Sequence, residues 1–220
     1  MNIAVVTEVS TKDKNVHVVK ALESTGHRIL NLGMTGDEGQ EELSYMHTGF
    51  ITALLLNAGS ADLVVGGCGT GHGYNLSAMQ YPGVFCGLVL SPLDAWLFRQ
   101  INNGNCISLA LNKGFGWAGD VNIEFIFEKF FSVEAGRGYP AHRQIPQQIY
   151  RDKLFALSSK IHLGMPEIIA IMPEETFLPS VKRPGVMEAI KNGKSSQPII
   201  EAIDTRLNQY SGCECSVLYK

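Results

Sequence analysis

No apolar run in this 220-residue chain approaches the roughly 20 residues that a membrane-spanning helix needs, so no membrane is expected as a partner. No block of lysine and arginine is present either. The 18 basic residues are scattered among 21 acidic ones, for a net charge of -3, and no nucleic acid is expected to bind. The five cysteines are an odd number for a chain of this size and do not suggest a disulfide framework. A reducing, cytoplasmic setting is the expectation. Cys213 and Cys215 form a lone Cys-x-Cys with no second cluster, so they read as tail residues rather than metal ligands. The opening Met-Asn-Ile-Ala-Val-Val-Thr lacks the basic segment and cleavage site of a signal peptide, and reads as a strand. No repeat and no low-complexity tract occurs.

What is present is a regular alternation of strands and helices. Strands are expected over 3–7, 28–32, 63–67, 84–90 and 106–111. Helices are expected over 12–24, 42–57, 93–101 and 121–131. In the second of these, Leu43, Met46, Phe50, Ala53 and Leu54 fall on one stripe and Gly59 closes the helix. This rhythm predicts an α/β fold with a parallel sheet covered on both faces. Such sheets bind ligands beyond the carboxyl ends of their strands. After Phe131 the pattern changes. An irregular arm carries Gly136-Arg137-Gly138-Tyr139-Pro140. A long helix is expected over 147–161, and prolines at 166, 173, 179, 184 and 198 punctuate short segments, two of them helical. The chain therefore reads as an α/β domain over 1–145 and a helical extension over 146–220. The extension, and residues 160–220 above all, read equally as a lid, a dimerisation element or core padding. The 121–131 helix suits an interface or the core, and Trp96 and Trp117 read as core or interface aromatics. His17 and His47, on helices, read as structural.

The most informative stretch is Gly67-Cys68-Gly69-Thr70-Gly71-His72-Gly73, between the third strand and a short helix. It is not a dinucleotide fingerprint, because the glycines alternate and no acid follows before Leu93. It is not a nucleotide phosphate loop, because it has no lysine. Glycines at this spacing expose backbone N–H groups that suit an anion or a developing oxyanion. Cys68, Thr70 and His72 add chemistry to that cradle. A cysteine facing such amides favours its thiolate. Each side chain also has a plainer reading: a buried thiol for Cys68, turn residues for Thr70 and His72. A cysteine-nucleophile hydrolase is a weaker reading, since no carboxylate or Asn is evidently placed to orient His72.

With the strand order and this loop in place, the chain resembles the ribose-5-phosphate isomerase type B and galactose-6-phosphate isomerase family. The matching stretches are Ile3 to Thr7, Cys68-Gly69-Thr70-Gly71-x-Gly73, Pro82-Gly83-Val84, Pro92 with Asp94-Ala95, Arg99 and Asn105. The stretch Lys113-Gly114-Phe115-Gly116-Trp117, with Gly138-Tyr139-Pro140, resembles a longer branch that includes ketol-isomerases of unsaturated uronates. The resemblance implies a three-layer, Rossmann-like five-stranded parallel sheet and interconversion of aldose and ketose sugars through an enediolate, without metal or cofactor. It implies Cys68 as the base, Thr70 in proton movement, and the amides of Gly69, Gly71 and Gly73 as the enediolate cradle. It places Asn102 and Asn105 near the sugar, and Arg137 and Arg143 as anion anchors. A homodimer or homotetramer that shares its site between subunits is also implied.

Departures from the family narrow the chemistry. The family's Asp-His pair after strand one is here Glu8-Val9, with Ser10 next. Glu8 sits where ligands bind; Ser10 reads as a substrate contact or a helix cap. The ring-opening histidine that follows strand four falls at Leu90, beside Ser91. His72 stands at a usually apolar position and is a candidate substrate contact or acid–base group. A sugar phosphate of ribose or galactose type is the expected substrate. An open-chain keto sugar acid from unsaturated uronates is the alternative, because a guanidinium fork holds carboxylate and phosphate alike. A third reading, suggested by the missing histidine, is a non-catalytic sugar-binding protein on the same fold.

Overall fold

The computed structural model describes residues 1–213, with side chains through Tyr210. Cys215 and the side chain of Cys213 lie outside the described residues. Five strands form one parallel sheet: β1 (Asn2–Thr7), β2 (Arg28–Asn31), β3 (Leu63–Cys68), β4 (Cys86–Val89) and β5 (Cys106–Ala110). Their spatial order is β2-β1-β3-β5-β4. The chain runs outward from β1 to β2, then returns past β1 to β3. The crevice between the carboxyl ends of β1 and β3 is therefore the switch point of the sheet, where ligands bind in folds of this kind.

Strands β1 and β3 read as apolar runs because helices cover both their faces. On one face Ile3, Val5, Val65 and Ile107 meet α1 (Asn15–Glu23), α4 (Pro92–Leu97) and α5 (Gly119–Phe131). On the other, Ala4, Val6, Val64 and Cys106 meet α2 (Tyr45–Ala58) and α3 (His72–Ala78). Ser44 caps α2 through its hydroxyl, which accepts from the Met46 N–H, and Gly59 ends it in the left-handed region at φ 70. Leu43, Phe50, Ala53 and Leu54 are buried as the spacing predicts. Met46 is not, at 45% exposure. Ile123, Ile126, Phe127 and Phe130 make α5 a core helix. Trp117 is wholly exposed, on the loop before α5, and is no core residue.

The extension comprises α6 (Gln144–Ile161), α7 (Met165–Ile171), α8 (Glu174–Lys182), α9 (Val186–Lys191) and α10 (Gln197–Cys213). The proline spacing hid α7 and α8. Pro166 occupies the first turn of α7 and Pro173 precedes α8, both tolerated positions, while Pro179 falls inside α8. Ile169, Phe177, Val181, Ile190 and Ile203 from these helices bury into the same core as α2. Arg206 fastens α10 to α7. Its guanidinium donates to the carbonyls of Ile169 and Met172 and lies over the Phe177 ring at 4.4 Å. Helix α6 is different: Ile145, Ile149, Leu154, Leu157 and Ile161 are each at least 46% exposed. Among the described residues no single helix is long and apolar enough to cross a membrane.

Candidate active site

The carboxyl edge of the sheet gathers the chemistry. Thr7 and Gly67 are register partners on β1 and β3. Glu8 continues β1 in extended conformation, at φ -102 and ψ 178. Alternation along the strand puts Glu8 on the face of Ala4 and Val6, the face that also holds Cys68. One step beyond the last register pair, Glu8 and Cys68 are thus neighbours on adjacent strands, about 4.8 Å apart in backbone spacing. Both are buried, Glu8 at 3% and Cys68 at 7% exposure. The Ser10 hydroxyl donates to Glu8 Oε1, and no protein donor among the described residues reaches Oε2. The register thus sets a carboxylate with one oxygen free of protein donors next to a thiol that has no hydrogen bond among the described residues.

The loop after β3 shapes the space above them. Gly71 takes φ 77, a left-handed conformation that a side chain resists. Its carbonyl accepts from the buried Ser108 hydroxyl at 2.6 Å. The N–H of Gly71 is taken by the Cys68 carbonyl at 3.2 Å, and that of His72 by the Thr70 hydroxyl at 3.3 Å. The N–H groups of Gly69 and Thr70 have no acceptor among the described residues, and they directly follow the thiol. Behind the loop, Tyr74 anchors α3. A Cβ on Gly66 would lie 2.2 Å from its ring, so only glycine leaves room there. The Tyr74 hydroxyl meets Thr52 Oγ1 at 2.6 Å and Cys106 Sγ at 3.4 Å. Burial, then the neighbouring Cys106 and Cys86 thiols, push that phenol well above its ordinary range, so it stays neutral.

Three further residues border this space, and sequence reasoning did not place them in the site. Asn112, just past β5, donates to the Ser10 carbonyl at 2.9 Å, and its amide nitrogen lies 3.3 Å from where a Cβ on Gly69 would stand. Its place at a strand's carboxyl end was the signal that could have found it. Lys113 holds the loop through its backbone N–H, which donates to the Gly69 carbonyl at 2.8 Å. Tyr45 lays its ring against Gly73, with Cδ1 3.0 Å from the Cβ position. No local pattern marks Tyr45, since a tertiary fold brings it there. A cavity of about 220 Å³ lies past the carboxyl ends of β4 and β5, lined by Leu90, Ala110, Lys113, Phe115 and Asn122. Among the described residues, no three His, Cys, Asp or Glu side chains converge as a metal site would require.

The fold brings together Glu8, Ser10, Cys68, Gly69, Thr70, Gly71, His72 and Gly73. Thr70 and His72 are exposed at the mouth. Ser91, past β4, is occupied as the cap of α4 through the Asp94 N–H at 3.1 Å. The remaining candidates lie at the opposite edge of the same subunit. Asn105 opens β5, and its side chain is used by the backbone of Gly83 and Phe85. Asn102 ends the π-type turn Phe98–Asn102. The arm is tied to that turn by Gly136 N–H to Arg99 O at 2.9 Å and Gly138 N–H to Gln100 O at 2.7 Å. Arg137 faces Glu134 at 3.9 Å, and Arg143 is exposed. Both arginines thus lie at the edge of the sheet opposite Cys68 of their own chain.

Comparison with known proteins agrees with this architecture. The family described as ribose/galactose isomerase matches residues 3–147. Ribose-5-phosphate isomerase B of Mycobacterium tuberculosis is 27% identical over 92 residues, 42% of this chain. The chain spans 56% of that relative's length. A solved ribose-5-phosphate isomerase from Vibrio parahaemolyticus is 40% identical, covering 93% of this chain and 98% of its own, with a TM-score of 0.88. A 4-deoxy-L-threo-5-hexosulose-uronate ketol-isomerase, solved with a tartrate, is 33% identical over 94% of this chain and 100% of its own, with a TM-score of 0.90. A match to residues 3–147, about two-thirds of the chain, on a fold that sets a cysteine–glycine loop at the sheet's switch point, makes this chain a member of the ribose/galactose isomerase family.

Proposed function

We propose that this protein is an aldose–ketose isomerase of carbohydrate metabolism, acting through an enediolate on a sugar that carries one anionic group. The observation that carries the reading is the pairing of Cys68 with Glu8 beneath the open N–H groups of Gly69 and Thr70. The Cys68 thiolate takes the proton from the carbon beside the carbonyl, and the C–H electrons form the enediolate double bond. The N–H groups of Gly69 and Thr70 hold the oxyanion, in a pocket where such donors act strongly. The Glu8 carboxylate accepts the proton of the neighbouring hydroxyl and passes it to the first oxygen, with Thr70 at the mouth assisting. The carbonyl re-forms at the second carbon, and the Cys68 thiol returns its proton to the first. Atoms and charge balance, and the thiolate is regenerated.

A guanidinium fork suits the anionic end of the sugar, and Arg137 and Arg143 of this subunit lie at the edge of the sheet opposite Cys68. Arg137 and Arg143 of a second copy supply that fork, which favours a homodimer or a higher homo-oligomer with a shared site. The exposed stripe on α6, together with Leu76 at 65% and Met79 at 47% exposure on α3, supplies an apolar face for it. Free thiols at Cys68, Cys86 and Cys106 suit a reducing, cytoplasmic setting.

Two substrates fit an arginine-held anion. The 40% identical neighbour is named for a phosphosugar. The ketol-isomerase neighbour is named for a keto sugar acid and holds tartrate, a hydroxylated dicarboxylate. Proton NMR in deuterated water separates them, using ribose 5-phosphate, galactose 6-phosphate, their unphosphorylated forms and an unsaturated-uronate-derived keto acid. Deuterium entering carbon 1 or 2 of one sugar establishes the reaction and its class. No exchange in any of them, with the protein folded, would overturn the enzyme in favour of a sugar-binding role.

A further inference from the structure

The segment from Leu32 to His47 links β2 to α2 and has little regular structure of its own. It nevertheless holds Glu8 from both sides. Before Glu8, the Met34 N–H donates to the Thr7 carbonyl at 2.8 Å, and the Thr7 hydroxyl donates back to the Met34 carbonyl at 2.9 Å. After Glu8, the Val9 N–H donates to the Leu43 carbonyl at 2.9 Å. Near its end, in the first turn of α2, the same segment carries Tyr45, whose ring lies on Gly73.

Both roots of this segment are tied to α8. Arg183, just past α8, donates from Nε to the Leu32 carbonyl at 3.1 Å and from Nη2 to the Gly33 carbonyl. Its guanidinium is half-buried and pairs with no carboxylate among the described residues. Burial disfavours its charge, and Asp37 in the segment itself partly offsets that. A cation gives up water for two neutral carbonyls only where those bonds are well formed. At the other root, His47 Nδ1 accepts from the Ser44 N–H at 2.8 Å, which leaves Nε2 as the donor to the Glu175 carbonyl at 2.8 Å. That carbonyl is available because Pro179, four residues on inside α8, has no N–H to give it. The proline that disguises α8 in the sequence thus creates the acceptor that His47 uses.

We propose that α8 braces the catalytic edge, with Arg183 and His47 as positioning residues that fix the 32–47 segment and, through it, the Glu8 carboxylate. This assigns a task to the extension and rests on the reading that Glu8 acts beside Cys68. The test compares wild type, Arg183→Ala and Arg183→Lys by amide exchange in NMR and by steady-state kinetics. In Arg183→Ala the Met34 and Val9 amides are expected to exchange at least about tenfold faster, while those of Val65 and Ile107 at the sheet centre keep their protection. The kcat is expected to fall about 10- to 100-fold with KM changed less than about threefold, and Arg183→Lys to recover part of it. Wild-type protection at Met34 and Val9 in Arg183→Ala would overturn the brace. So would a uniform rise that includes the sheet centre, or kcat unchanged despite faster local exchange. A wild type inactive on every sugar would instead remove the enzymatic reading, leaving the exchange result to decide the brace.

Discussion

Glu8 and Cys68 illustrate how single residues acquire roles from their neighbours. Each is buried, each has a polar atom with no protein partner among the described residues, and the strand register sets them side by side. In the proposed mechanism Cys68 is the base and the amide cradle does not depend on its side chain, so Cys68→Ala is expected to lower kcat by about 10²- to 10⁴-fold and to keep substrate binding. Full turnover in that variant, followed by deuterium exchange, would dismiss Cys68 as the base. His27 gives a separate, pH-dependent prediction. Burial, then the N-terminal ammonium and Arg99, hold its imidazole below the ordinary value. As pH falls through about 6.5 the unfolded chain takes up this proton before the folded one does, so acid costs native stability. The melting temperature of His27→Gln is therefore expected to decline less than wild type between about pH 7 and pH 5. Parallel declines would show that His27 does not contribute.

Among the elements, the short helices of the extension depend most on specific contacts. Helix α7 is only seven residues long and ends on carbonyls that have no helical partners. Arg206, buried at 8% exposure, satisfies two of them and stacks on Phe177. Arg206→Leu leaves those carbonyls without donors, at a cost of about 2–4 kcal/mol. In a chain of this size that corresponds to a fall in melting temperature of about 5–15 °C. Calorimetry showing less than about 2 °C would mean that water replaces the guanidinium.

For the whole molecule, the decisive question is where the anion anchors come from. Arg137 and Arg143 sit at the amino edge of the sheet and Cys68 at the carboxyl edge. If a second subunit supplies the arginines, Cys68→Ala and Arg137→Ala/Arg143→Ala proteins are each nearly inactive alone. Mixed and re-associated, they are expected to recover about a quarter of wild-type turnover, because half the dimers are mixed and each holds one complete site. No recovery, with mixed dimers present on native mass spectrometry, would place the anchors elsewhere. Ile149→Asp on the exposed stripe of α6 is expected to yield a monomer in light scattering and to abolish turnover with it.

The sequence by itself determined the sheet, its order of helices and the position of the cysteine loop. Those features follow from local periodicity, from glycine punctuation and from the rule that parallel strands bury both faces. It also brought Glu8, Cys68, Thr70 and His72 to one edge, because they lie at, or within a short loop after, a strand's carboxyl end. Only the tertiary structure decided the rest. Asn112 and Tyr45 reach the site through packing between segments far apart in the chain, which no local pattern records. Asn105 keeps its side chain for the backbone at the opposite edge, and the arm that carries Arg137 is tied to that edge as well. Helix α8 stayed hidden because Pro179 argues against a helix locally. Burial of Phe177 and Val181 against α2 outweighs that local cost.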